Sequence, residues 1–258
     1  MLMQDLEMSA PLRREKTEIG PLAITSMSKD DVVRLVGTAV RSRIPLDIGI
    51  CNAHTIMTAL DQPAYAATLN RMTLLNDGIG IALANRIIYG KRFRENLNGT
   101  DLIPHVLAEI DLPLRIYLLG AGEKQVTAAA RHIEATYPGH VVVGYRNGYF
   151  EPQDCGDICA AINKAKPDLL LVAMGNPRQE MFIAQNRHQF DATVAIGVGA
   201  LFDFMSGTVA RAPRFVRSLG LEWLFRLLQE PRRLFRRYVF GIPRFLIAVF
   251  RCKRSRAR

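Results

Sequence analysis

Cysteine and tryptophan are scarce in this chain, with four and one among 258 residues. Cys51, Cys155, Cys159 and Cys252 form no CxxC pair and have no clustered histidines near them. Cys155 and Cys159 would share a helix face at a spacing that matches no common zinc pattern, so reduced, packed thiols are expected. Long apolar runs are missing too. Phe240 to Phe250 (FGIPRFLIAVF) is about half the length of a spanning helix and contains Pro243 and Arg244, so it can lie on a bilayer but not cross one. The opening MLMQDLEMSAPLRREK has acids among its first residues and no apolar run behind a basic stretch; a secretory signal is not expected, and a cytosolic location is. The chain contains no GxxxxGKS/T phosphate loop, no HExxH, no GxSxG elbow and no DxD diphosphate-metal motif.

The last absence is of one charge sign in one place. From Arg211 to Arg258 there are 14 Lys and Arg against two acids, Glu222 and Glu230, while the other 210 residues hold 20 bases and 22 acids. All of the excess positive charge therefore sits in the tail, which calls for an anionic partner such as phosphate, a lipid headgroup or nucleic acid.

What is present is enough apolar sequence, 49%, for one substantial core. Short apolar runs alternate with segments of helical period, the pattern of βα units around a mostly parallel sheet. Strands are predicted over Leu46–Cys51, Leu114–Leu119, Val141–Tyr145, Leu169–Met174 and Thr193–Val198, and helices over Lys29–Arg41, Ile79–Tyr89, Glu123–Thr136, Asp157–Lys166 and Arg178–Arg187. A further helix is predicted to run from an N-cap at Thr100 through Glu109. Several strands are apolar at consecutive positions, so helices should cover both sheet faces. The expected fold is α/β: a Rossmann-like, mostly parallel sheet in residues 1–207, with a helical arginine-rich C-terminal appendage in 208–258. In the appendage Leu221, Leu224, Phe225 and Leu228 fall at helical spacing, and Pro231 suits the first turn of a second helix carrying Arg233, Arg236 and Arg237 on one side.

Open parallel sheets bind ligands at the carboxyl ends of their strands. Asn52 leaves a predicted strand in CNAH; a loop-forming Asn explains it as well as a functional one. Asp77 in NDGIG precedes a helix, where an N-cap is a sufficient explanation. Gly120-Ala121-Gly122 follows a strand and opens a helix, but Gln125 stands where a dinucleotide fingerprint needs a small residue, so it supports only close backbone approach to a phosphate or sugar. In GNPRQE, from Gly175 to Glu180, three polar residues at a helix entry exceed what a turn requires, which favours function there.

Together these segments resemble the WecG/TagA/CpsF glycosyltransferase family. The likeness rests on NDGIGIALANRI (Asn76 to Ile87), NGTDLIP (Asn98 to Pro104), NGYF (Asn147 to Phe150), MGNPRQE (Met174 to Glu180), GVGALFDFMSGTVARAP (Gly197 to Pro213) and LGLEWLFRLLQEP (Leu219 to Pro231), in the family's order. The resemblance implies an inverting transfer of a sugar from a UDP-sugar to a polyprenyl-diphosphate-linked sugar, with no cofactor and no required metal, at the cytoplasmic face of the membrane. It implies Asp77 as catalytic base, with Asn52 and Gln179 beside it. Gly120, Gly122, Asn147, Gly148 and Asn176 would line the nucleotide and sugar pocket, and Arg226, Arg233 and Arg236 would hold the donor diphosphate, a task suited to the bidentate, permanently charged guanidinium. Asn96 replaces an arginine common in the family and Ile50 a threonine. Both fall in the implied acceptor pocket and point away from UDP-N-acetylmannosamine, the family's best-known donor. ICNAHTIMTALDQPAYAATLNRMTLLNDGIG resembles more narrowly the branch building xanthan-like and acetan-like exopolysaccharides, implying glucose transfer from UDP-glucose to a lipid-linked glucose in β-1,4 linkage. N-acetylmannosamine transfer to lipid-linked N-acetylglucosamine is the alternative.

Two readings from other classes compete. A basic nucleic-acid-binding protein would explain the tail but leaves the NDG, GTD and GNPRQE segments without purpose, so nucleic acid is not the expected partner. A nicotinamide-dependent oxidoreductase would rest on Gly120-Ala121-Gly122 alone. The membrane surface is expected to be met through the tail, and apolar helix faces leave room for a homo-oligomer.

Overall fold

A computed structural model describes residues 15–213, 215–216, 221–229, 231–232, 235, 239 and 241–256. Eight strands form one sheet: β1 (Lys16–Ile19), β2 (Leu22–Thr25), β3 (Leu46–Cys51), β4 (Thr73–Asn76), β5 (Arg115–Gly120), β6 (Val141–Arg146), β7 (Leu169–Ala173) and β8 (Val194–Gly197). Their order is β1-β2-β4-β3-β8-β7-β5-β6, with β1 and β2 antiparallel and every other pair parallel. Chain order runs outward from β3 to β4 on one side and from β5 to β6 on the other. β7 and β8 then fill the gap, so the reversal of direction lies at the sheet centre, where open α/β sheets bind ligands.

Alternation along each strand sends side chains into two cores. Ile116 and Leu118 of β5, Leu169 and Leu171 of β7, and Val194 and Ile196 of β8 face one; Tyr117, Leu119, Leu170, Val172 and Ala195 face the other. The first core is closed by α1 (Lys29–Ser42), α5 (Gly99–Glu109), α6 (Glu123–Thr136) and α9 (Leu201–Met205). The second is closed by α2 (Ala53–Asp61), α3 (Pro63–Leu69), α4 (Gly78–Tyr89), α7 (Cys155–Ala165), α8 (Arg178–Asn186) and α11 (Gly241–Arg256). This is the three-layer α/β architecture expected from the apolar runs.

The five predicted strands and six predicted helices exist, with ends displaced by a few residues at most. One cap differs: α5 starts from Asn98, not Thr100. The Asn98 Oδ1 accepts from the Asp101 N–H at 2.9 Å and from the Thr100 hydroxyl at 2.7 Å, so Thr100 supports the cap from inside the first turn.

The C-terminal helix α11 is seated on α2 and α4, with Phe245 and Val249, one turn apart, buried in the second core. Beneath the seat Gly80 lets α4 lie close to α2, since a Cβ there would be 3.1 Å from Ala53 Cβ. Two polar fastenings flank the seat: Arg244 reaches both carboxylate oxygens of Asp61, and Arg256 stacks on Tyr89 with its guanidinium 4.3 Å from the ring centroid. The opposite side leaves Ile247 and Phe250 exposed. Helix α10 (Glu222–Gln229) leaves Leu221, Leu224 and Leu228 exposed, while Arg226 stacks over Phe204 and Gln229 donates to the Ala210 carbonyl. Arg233, Arg236 and Arg237 lie outside the described residues.

At the end of β5 the backbone turns left-handed. Gly120 has φ +135°, and a Cβ there would meet the Ala173 carbonyl oxygen at 2.3 Å. Gly120→Ala is expected to destabilise the protein by more than about 3 kcal/mol in denaturant unfolding, because conformation and contact both oppose a side chain. A loss below about 1 kcal/mol would show that the two strands part easily.

Candidate active site

Every core residue implied as functional sits at the carboxyl edge of the sheet, on the turns leaving β3, β4, β5, β6 and β7. Asn52 caps α2: its Oδ1 accepts from the His54 and Thr55 N–H groups at 3.0 and 3.2 Å, while Thr55 Oγ1 accepts from the Asn52 N–H. Asn52 is thus the N-cap of α2, a role that its reading as a loop-forming residue did not specify, and its side-chain oxygen is committed to the cap. On the neighbouring turn Asp77 occupies the N-cap position of α4 without making a side-chain capping bond. Asn96 does that work from another loop, its Oδ1 accepting from the Gly78 N–H at 2.7 Å. The Asp77 N–H donates to the Cys51 carbonyl at 2.8 Å, which extends the β3 and β4 pairing into the two turns and holds them side by side.

The loop that delivers Asn96 is fastened along its length. Asn76 donates to the Glu95 carbonyl, Glu95 accepts from the Lys29 N–H, and Arg94 pairs with the buried Asp31 at 2.6 Å. Burial opposes ionisation of Asp31, but bonds from the Ser28 N–H, the Ser28 hydroxyl, Arg94 and Arg34 outweigh it and hold the carboxyl at about 2.

Around β5, β6 and β7 the glycines bring backbone together. Gly148 lies so near Gly120 that a Cβ on it would be 3.0 Å from the Gly120 Cα, and its carbonyl accepts from Arg178 at 3.4 Å. Asn147 is held by Glu123 at 2.7 Å and accepts from the Tyr149 N–H, and Gly122 opens α6 with no side chain of its own. The N-termini of α2, α4, α6 and α8 all open on this edge, where their helix dipoles favour an anionic group.

Gln179 is differently placed from what a pocket neighbour suggests: it is 1% exposed and fully engaged. Its Oε1 accepts from the Gly175 and Gly199 N–H groups, joining the turns after β7 and β8, and its Nε2 donates to Glu180 at 2.7 Å. Glu180 is wholly buried, and burial raises its carboxyl despite bonds from Gln179, Tyr65 and Asn176. Cys51 lies nearby; burial pushes its thiol well up, and the charges of Glu180 and Asp77 push it further. Tyr65 is 115 residues from Glu180, and nothing local to it in the sequence announces the contact.

In the first turn of α5, Asp101 of the NGTD segment pairs with Arg211 of the GTVARAP segment, so two motifs far apart in the chain form the root from which the tail departs. Burial works against Asp101 ionising, but Asn98 and Arg211 together lower its carboxyl below the ordinary range. Among the described residues Arg226 is half-buried with its Nε unpartnered, Arg233 and Arg236 fall outside them, and no group of three His, Cys, Asp or Glu could hold a metal ion.

The family model described as "Glycosyl transferase WecG/TagA/CpsF family" matches residues 17–258. An N-acetylglucosaminyldiphosphoundecaprenol N-acetyl-beta-D-mannosaminyltransferase of Bacillus spizizenii is 35% identical over 202 residues, 78% of this chain and 77% of that protein. One of the same name from Bacillus subtilis is 32% identical over 219 residues, 84% of each. These relatives overturn the expectation of a UDP-glucose transferase from the xanthan and acetan branch acting in exopolysaccharide assembly, and favour its alternative. The structure shows why Asn96 and Ile50 misled: Asn96 caps α4, and Ile50 is a core residue packed where a Cβ on Gly99 would lie 3.2 Å away. Both are scaffold positions, whose exchange says little about which sugar is bound.

Proposed function

The chain belongs to the WecG/TagA/CpsF family of glycosyl transferases, and we propose that within it the protein transfers N-acetylmannosamine from a UDP-linked donor to a polyprenyl-diphosphate-linked N-acetylglucosamine. The observation that carries the mechanism is the state of Asp77. It is half-buried at the carboxyl edge, in an N-cap position where Asn96 rather than Asp77 takes the Gly78 N–H, so the Asp77 carboxylate is not spent as a helix cap. In this reading the Asp77 carboxylate accepts the proton of the attacking acceptor hydroxyl as UDP leaves from the opposite face. The leaving diphosphate needs preorganised donors, and Arg226, Arg233 and Arg236 supply them in this reading.

The donor is tested by offering UDP-N-acetylmannosamine, UDP-glucose and UDP-N-acetylglucosamine separately to a lipid-diphosphate-N-acetylglucosamine and weighing the product. The expected result is efficient extension with the first alone; extension only by another donor would overturn the assignment. With arginine carrying the diphosphate charge, transfer should also continue in excess EDTA. A loss restored by Mg²⁺ would transfer that role to a metal.

Among the described residues no helix is long and apolar enough to cross a membrane. We place the protein at the inner membrane surface through its tail, where exposed Leu221, Leu224, Leu228, Ile247 and Phe250 lie among arginines. Basic residues near anionic headgroups contribute about 1 kcal/mol each. Co-sedimentation with anionic vesicles that falls steeply with salt is the expected signature, and equal binding to neutral vesicles would point to apolar contact alone.

A further inference from the structure

A buried carboxylate with no cation bonded to it among the described residues stands directly behind the candidate site. Glu180 Oε1 accepts from Asn176 Nδ2 at 2.6 Å and Gln179 Nε2 at 2.7 Å, and Oε2 accepts from the Tyr65 hydroxyl at 3.0 Å. Every one of these donors is neutral. Such a group is costly to bury, and a salt bridge does not account for its retention. What it does is orient amides. Gln179 is already oriented by the two backbone N–H groups that its Oε1 accepts. Asn176 is not: its described side-chain bonds run from Nδ2, to Glu180 and, at 3.5 Å, to Tyr65. With Nδ2 so committed, Oδ1 is the atom of Asn176 left to meet a ligand, and Oδ1 can only accept.

We propose that Glu180, held by Tyr65, is a positioning residue that makes Asn176 an obligate hydrogen-bond acceptor in the transfer site, selecting a ligand group with a hydrogen to give, such as a sugar hydroxyl or the pyrimidine N–H. This rests on the carboxyl edge being the transfer site. Without the acceptor at 180, the Asn176 amide can turn over and present its NH₂, which such a ligand group meets poorly.

The test compares kcat/KM for the donor in Glu180→Met, Glu180→Gln, Asn176→Ala and the Glu180→Met/Asn176→Ala double variant, with melting temperature followed in each. Glu180→Met, which keeps length but offers no acceptor, should lose about thirtyfold through two stranded amide donors. Glu180→Gln should stay within about threefold, because its oxygen can keep both amides while its NH₂ donates to the Tyr65 oxygen. The double variant should be no worse than its poorer parent, since Glu180 acts through Asn176. Glu180→Gln as impaired as Glu180→Met, losses that multiply in the double variant, or full activity in Asn176→Ala would each overturn the proposal. Should Glu180→Met fail to fold, Tyr65→Phe serves in its place: a loss masked by Asn176→Ala supports the proposal, and full activity overturns it. UDP binding by Asn176→Ala separates the two ligand sources, weakening for the pyrimidine N–H and holding for a sugar hydroxyl, while unchanged UDP binding with unchanged transfer overturns both. Asp77→Asn run alongside keeps the premise separate: if it transfers at the wild-type rate, the site reading has failed, whereas a silenced Asp77→Asn with an unaffected Glu180→Met defeats only the positioning role.

Discussion

Asp77→Asn is expected to lower the rate of sugar transfer at least a hundredfold while UDP-sugar binding stays within about twofold. General-base assistance is worth roughly a hundredfold to ten-thousandfold, and an amide cannot take the proton. Asp77 makes no capping bond that Asn would have to replace, and the Gly78 N–H is already taken by Asn96. The turn itself is held by the Asp77 N–H to the Cys51 carbonyl, a backbone bond that the change leaves alone. Initial rates with saturating acceptor, together with calorimetric donor binding, check both halves. Near-normal turnover would remove Asp77 from the base role, and weak donor binding would make it a binding residue instead.

Replacing Arg226, Arg233 and Arg236 together by Ala is expected to cost more than about a thousandfold in turnover, since loss of a single preorganised donor to a developing oxyanion costs roughly a hundredfold to a thousandfold. The triple variant is a better probe than truncation. Ending the chain after Gly207 should also abolish transfer and vesicle binding, but it strips Phe245 and Val249 from their seat on α2 and α4 as well. Uncovering that seat should cost about 3 kcal/mol or more, so lost activity would mix lost chemistry with lost packing. The arginine variant leaves the seat intact and should melt close to the wild type. Full activity in it would show the arginines to be dispensable and would return the tail to a membrane role alone.

The apolar runs of β5, β7 and β8 were legible because strands covered on both faces have to be apolar at consecutive positions; β3 and the edge strand β6, half-exposed in part, keep enough of that run to be read with them. β1, β2 and β4 were not found. β1 is largely polar, and β2 and β4 hold only short apolar stretches that end at Thr25 and Asn76. Helices α2 and α3 were missed for a related reason: Pro63 breaks the periodicity between them. At the site, motif residues were found as far as chain neighbours announce one another. Asp77 and Gln179 were named, but the exchange of capping work between Asp77 and Asn96, and the burial of Gln179 behind the turns after β7 and β8, depend on contacts between loops remote in sequence.

Period, apolar content and turn residues by themselves determined the α/β layering and marked the carboxyl edge as the candidate site, because both follow from patterns local to one strand or helix. The same holds for the charge of the tail, which is composition alone. Tertiary structure decided the rest. It joined Asp101 to Arg211 across 110 residues, seated the basic C-terminal helix on α2 and α4, and closed Tyr65, Asn176 and Gln179 around a buried Glu180. A side chain's chemistry depends on which partners compete for its donors and acceptors, and those partners are set by how the layers pack.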